Sequence, residues 1–227
     1  MMRNILGASL LALAAVAPLA HAFEAGDIVV RAGAVTVDPR EDSSDIRHAT
    51  LGTIGGSKAT LDSDTQLGLN FAYMLTDKVG IELLAATPFS HSVGVKGIPA
   101  PLNGLNGSLG DTKHLPPTLS LVYYPLDSKS AVQPYVGLGL NYTAFFDTSL
   151  SSSAEGKGFR GLELDNSVGV AAQLGADFML TDNWLVNAQV RYIDIDTEGT
   201  TYLAGNKVSV DVEVDPFVYM VGVGYKF

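Results

Sequence analysis

Eight segments of this chain, each about ten residues long or more, alternate between an apolar face and a polar or glycine face. A period of two is the strand signal, and its eightfold recurrence constrains the fold more tightly than any other feature of the chain. In Asp27–Val37 the residues Ile28, Val30, Ala32 and Ala34 share a face. In Thr65–Leu75, Leu67, Leu69, Phe71, Tyr73 and Leu75 oppose Gln66, Gly68, Asn70 and Ala72. Val79–Phe89, Leu115–Tyr124, Gln133–Phe146, Asn166–Leu180 and Trp184–Thr197 repeat the pattern, and Lys207–Phe227 ends the series on an aromatic residue.

The connections alternate too. "TDK" (Thr76–Lys78), "PLDSKS" (Pro125–Ser130) and "TDN" (Thr181–Asn183) are tight turns, whereas about 38–64, 90–113, 147–165 and 198–206 are long polar loops. The chain opens with Arg3, an apolar run from Ile5 to Ala20 and the small-x-small site Ala20-His21-Ala22, so residues 1–22 read as a cleaved signal peptide. A retained signal anchor is the competing reading, disfavoured by the shortness of the run and by Pro18. Beyond residue 22 no stretch of apolar residues is long enough for a spanning helix, although 47% of the chain is hydrophobic. Export, high apolar content and no spanning helix agree if strands cross the membrane, because only helices and closed barrels satisfy every backbone group in lipid. The expected fold is therefore all-β: residues 23–227 form an eight-stranded antiparallel transmembrane barrel in the bacterial outer membrane. Short turns and both termini are periplasmic and the long loops extracellular. A soluble β-sandwich explains neither the loop asymmetry nor the aromatics at the ends of the apolar bands. Without Arg3 the chain carries 13 basic and 24 acidic residues, a net charge of −11, which argues against nucleic acid. There is no cysteine, so closure of the barrel takes the place of disulfides.

An eight-stranded barrel has room inside for little beyond its own side chains. Parity points Arg31, Glu82, Asp177, Arg191, Gln173, Asn187, Gln189, Asn70 and Lys226 inward. Buried charges require partners, so Arg31 or Arg191 should pair with Glu82 in a polar plug across the lower barrel; ordinary interior filling is the plainer reading of the same residues. Higher up, Asp194, Asp196, Asp211, Glu213 and Asp215 face outward, a position tolerable only above the membrane. Val35, Val37, Leu84, Ile193, Ile195, Val208, Val210, Val212 and Val214 then line an apolar funnel in a barrel that projects beyond the bilayer. A phase slip at Asp215-Pro216 would instead turn the valines outward. An apolar molecule entering this funnel meets charged groups that it cannot strip of solvation and pairing, so it must leave sideways. Pro88, Pro116 and Pro117 interrupt two neighbouring strands roughly 18–23 Å above the periplasmic side, and each lacks a ladder donor. These prolines either end two strands where a loop begins or form a lateral gate. By parity Pro88 faces the lumen.

The segments "DTQLGLNFAYMLTDKVGIELLAATPFSH", "HLPPTLSLVYYP", "QPYVGLGLNYTAFFD", "WLVNAQVRYIDIDT" and "VDPFVYMVGVGYKF" together resemble the outer membrane protein W family, small eight-stranded barrels that include alkane-uptake and Pseudomonas-type members. The resemblance covers most of Phe23–Phe227. It implies a narrow, apolar channel passing small hydrophobic molecules into the outer membrane, and it implies that some members serve as bacteriocin receptors or act in stress responses. The expected function is passive uptake of small hydrophobic molecules with lateral release. The alternatives are a narrow pore for small polar solutes such as amino acids, or a surface receptor or structural barrel working through its loops. The expected partners are outer-membrane lipid, lipopolysaccharide and hydrophobic substrates, with a bacteriocin added by the resemblance. A barrel closes without a second copy, so a monomer is expected.

Other chemistry finds little support. "DIDTEG" (Asp194–Gly199) has the start of a calcium loop, but Gly205 stands where a bidentate Glu is required. "DPREDSSD" (Asp38–Asp45) reads as a solvated acidic loop. His48, His91 and His114 lack zinc-ligand spacing. Ser90 and His91 are adjacent on a strand and face opposite ways, so they make no nucleophile–base pair. No enzyme activity, metal or cofactor is expected.

Overall fold

A computed structural model describes residues 22–227; the proposed signal peptide lies, except for Ala22, outside the described residues. The eight barrel strands are β1 (Ile28–Asp38), β2 (Asp64–Met74), β3 (Val79–Ala86), β4 (Thr118–Tyr123), β5 (Val132–Leu150), β6 (Ser167–Met179), β7 (Trp184–Ile193) and β8 (Phe217–Lys226). Each pairs antiparallel with its sequence neighbours, and β1 pairs with β8 from Val29↔Lys226 to Asp38↔Phe217, which closes the barrel. Closure leaves no open edge in the apolar zone, as lipid demands.

The outward apolar faces are those expected from alternation. Leu138 and Val168 are 73% and 76% exposed, values suited to lipid and not to water. Aromatic residues mark both limits of this band: Trp184, Tyr225 and Phe227 pack in series at the short-turn end, with ring centroids 5.1 and 4.7 Å apart. Tyr192, Phe217 and Tyr219 do so at the other end. Two of the short turns share one device. Thr76 Oγ1 accepts from the backbone N–H of Lys78 and Val79, and Thr181 Oγ1 does the same for Asn183 and Trp184.

The long-loop end departs from expectation. The predicted irregular loops are largely strand. Phe89–Lys96 pairs with Gly107–Leu115, which pairs in turn with the top of β5. Asp196–Leu203 pairs with Phe159–Leu164 and with Asn206–Glu213, and the latter meets Ile46–His48. A five-residue helix, Ser152–Gly156, is capped by Ser151. The reason is that alternation does not stop at the membrane: His91, Val93 and Val95 point in while Ser90, Ser92 and Lys96 point out. The last predicted strand, Lys207–Phe227, is two strands separated at Val214–Pro216, where Asp215 takes a positive φ of 38°. Its phase survives the break, since Val214, Pro216 and Val218 are all inside. The valines therefore stay in the interior.

Candidate functional site

The barrel interior is built in layers. At the short-turn end, Phe23 lies against Tyr124 with ring centroids 4.9 Å apart, in a cluster with Met74, Met179 and Leu185. Above this floor sits the polar layer. Arg31 on β1 donates from Nε to Asp177 Oδ1 at 2.9 Å and from Nη2 to Asp177 Oδ2 at 2.6 Å. Its Nη1 reaches Asn70 Oδ1 at 2.9 Å and Glu82 Oε2 at 3.3 Å, and Nη2 also donates to Tyr124 Oη. Arg191 on β7 donates from Nη2 to Glu82 Oε1 at 2.8 Å and bonds Gln173 Oε1 through Nε and Nη2. Gln173 Nε2 completes the ring by donating to Glu82 Oε1. Both arginines thus share Glu82. Asp177, a second partner for Arg31, makes the layer neutral: two guanidinium groups face two carboxylates, all essentially fully buried. Such a network is tolerable in low dielectric because the ions are matched and hydrogen-bonded. Tyr124, Tyr135 and Asn187 belong to it as well. Lys226 lies apart, 3.7 Å from Asp27 at the short-turn rim.

The layer above is apolar. Val35, Val37, Leu84, Ile193, Ile195, Val212 and Val214 form one buried cluster with Phe89, Val218 and Met220, and Val210 packs against it. Val208 belongs to the next cluster up, with Ile46, Ile98 and Phe159. This interior is packed rather than open. Between the extracellular sheets is a cavity of about 60 Å³ whose exposed wall is apolar; below it are two voids of about 10 Å³ each. Strand parity alone missed the side chains that fill the space, Ile46, Leu61, Ile98 and Phe159 among them, because they come from segments read as loops.

The prolines lie where the ladder is interrupted. β3 pairs with β4 as far as Leu84↔Thr118, and pairing between these two runs resumes only at Phe89↔His114. β3 stays bonded to β2 throughout this stretch, through Ala86↔Gly68 and Thr87 N to Leu67 O. On the far side, the Pro116 and Pro117 carbonyls are taken up by Asn141 Nδ2 and Tyr142 N. The interruption is thus one-sided, a seam between β3 and β4. Behind it lies one of the small voids, walled by Ala85, Ala86, Phe89 and Pro116. Pro88 is exposed, contrary to the inward position that alternation from Leu84 assigns it. The phase slips at Thr87-Pro88, outside any strand, and the slip places Phe89 inside in its stead. Pro116 is buried and Pro117 exposed.

Of the three histidines among the described residues, His91 and His114 meet inside the extension with Nε2 atoms 2.8 Å apart. His48 is elsewhere, its Nδ1 accepting from the backbone N–H of Thr50 and Leu51. Ser90 faces out and His91 in. On the outer surface the carboxylates of Asp194, Asp196 and Asp215 converge to within 4.8 Å of one another, a grouping their sequence separation concealed. Burial and repulsion from Asp194 and Asp215 hold Asp196 above the usual carboxylate range.

The OmpW family model matches residues 24–227. The chain belongs to the OmpW family. It is 43% identical to outer membrane protein W of Vibrio cholerae serotype O1 over 227 residues, the full length of both chains. The crystal structure of the outer membrane protein OprG from Pseudomonas aeruginosa superposes with a TM-score of 0.86 at 51% identity, covering 92% of this chain and 99% of that one. Outer membrane protein AlkL of Ectopseudomonas oleovorans is 28% identical over 78% of this chain and 72% of its own. This OmpW-family chain is accordingly an outer-membrane β-barrel. Its short-turn end is periplasmic and its extension extracellular.

Proposed function

We propose that this OmpW-family barrel is a passive conduit for small hydrophobic molecules, which enter the apolar extracellular chamber and leave sideways through the β3–β4 seam into the outer membrane. The observation that carries the reading is the interrupted ladder with an apolar void directly behind it. The closed polar layer supports it. An apolar molecule crossing that layer would have to separate paired, buried ions, whereas the seam requires no such loss. Leu61 lines both the upper cavity and the void beneath it, and Phe89 lies at the void behind the seam, so small side-chain movements connect the three spaces. Pro88, Pro116 and Pro117 act in this reading as the gate: Pro88 and Pro116 withhold donors that would sew the seam shut, while Pro117 faces β5 through its bond from Tyr142 N.

The test is hydrophobic uptake into vesicles with a lipopolysaccharide outer leaflet. Pro88→Val combined with Pro116→Val restores two backbone donors on the side of the seam, since Pro117, whose carbonyl bonds Tyr142 N, faces β5. At about 1 kcal/mol each, these should slow uptake by roughly ten- to thirty-fold while the barrel stays folded. Uptake unchanged in the double variant removes the seam as exit. Vesicles that pass small amino acids but not hydrophobic probes would establish the polar-pore reading in its place.

A further inference from the structure

His91 and His114 have no part in the conduit as described, yet they stand on its route. They are 2% and 4% exposed, and their rings lie 4.8 Å apart, with Phe89 5.3 Å and Phe145 5.6 Å from His114. His91 Nδ1 is 2.6 Å from the carbonyl oxygen of Asp62. A carbonyl only accepts, so His91 Nδ1 carries a proton. With both rings uncharged each imidazole has one N–H, and His91 Nε2 is then an acceptor. The proton between the two rings then belongs to His114 Nε2, and His114 Nδ1 is left with a lone pair. Among the described residues that nitrogen is buried without a hydrogen-bond partner. A buried polar atom left unpaired in this way requires an explanation.

The two rings border a void of about 10 Å³, room for a single hydroxyl or water, whose other walls include Val37, Leu61, Phe145 and Ile195. Leu61 lines both this void and the cavity above, and Phe89, stacked on His114, lines the void behind the seam. Lys113 and Asp111 on the same strand face outward, which sets His114 above the apolar band. Burial pushes the His114 imidazole down to about 3, so it stays an uncharged acceptor through neutral and mildly acidic pH.

We infer that His114 Nδ1 is a specificity-determining acceptor that favours apolar molecules bearing one hydrogen-bond donor, alcohols and phenols, over ethers and alkanes of equal size. The inference rests on the conduit reading. Its test compares 1-octanol with its isomer heptyl methyl ether, which has no donor. Nitrogen-15 NMR of the full barrel in lipid nanodiscs should show His114 Nδ1 unprotonated at pH 7.5 and shifted by 1-octanol but not by the ether. Uptake into the vesicles above should favour the alcohol roughly five-fold, the factor of one neutral hydrogen bond. His114→Phe should bring that ratio to about one whatever the absolute rates. A protonated Nδ1, a resonance that 1-octanol leaves in place, or a ratio unaltered by His114→Phe overturns the inference. If neither probe crosses with the unaltered protein, the conduit reading fails, while the NMR titration, which needs no variant, still decides whether the nitrogen binds a donor.

Discussion

Replacing Glu82 with Gln tests whether the polar layer is a matched ionic network. Glu82 is fully buried and accepts from three donors: Arg31 Nη1, Arg191 Nη2 and Gln173 Nε2. The amide keeps the shape but exchanges one oxygen for an NH₂, which sets a donor against a guanidinium, and the layer goes from neutral to a net charge of +1. Arg191 has little in reserve, because its Nη1 has no partner among the described residues. Removing one member of a buried ion pair costs about 3–5 kcal/mol. At a urea dependence of about 2 kcal/mol per molar, the unfolding midpoint in lipid vesicles should fall by roughly 2 M. The single tryptophan, Trp184, half-exposed on the lipid-facing surface, reports the transition by fluorescence. Adding Arg191→Met restores neutrality and leaves the two-point Arg31–Asp177 pair intact, so the double variant should regain at least half of the loss. A single variant that unfolds within about 0.3 M of the parent would mean that water, not Glu82, solvates the arginines, and the layer would not be a dry barrier. A double variant no better than the sum of the two single changes would refute charge matching as the cause.

Two further outcomes follow from the layers on either side. His114 is held far below its ordinary 6.5, so between pH 6.5 and about 3 the unfolded chain takes up a proton that the folded barrel refuses. Stability should fall with pH across that window, by at most roughly 1.4 kcal/mol per unit, and level off below it. The charged or titratable groups set against the ring are His91, Asp62 and Asp64; His114→Phe should remove this part of the slope, as read from urea midpoints at a series of pH values. At the opposite end, Phe23→Ala empties a buried site against Tyr124 and should cost about 3 kcal/mol in the same unfolding assay. Hydrophobic uptake should be unaltered by it, since the polar layer separates Phe23 from the seam; a large change in uptake would place the exit at the periplasmic end.

Alternation made the lipid-facing surface readable in advance because the bilayer allows no exceptions there: every outward position from Leu67 to Tyr73 on β2 is apolar over the same span that buries Asn70 and Ala72. The inward set was readable for the same reason, down to Arg31, Glu82, Asp177 and Arg191. What parity could not supply is height. Arg31 meets Asp177 because the two lie at one level of a sheared barrel, and that level is set by the registers of strands 146 residues apart in sequence. The pairing of Arg191 with Glu82 and of His91 with His114 depends on the same registers. Parity also fails wherever the ladder that enforces it stops. At Thr87-Pro88 no strand pairing with the Pro116-Pro117 run holds the phase, so the chain is free to slip and Phe89 turns inward beside His114. In the conduit reading the prolines therefore act twice. By withholding donors they leave the β3–β4 ladder interrupted, and by releasing the register they let Phe89 turn inward beside His114. A substitution that restores the ladder should for that reason shift Phe89 as well as close the proposed exit, which would couple the proposed gate and selector through one residue.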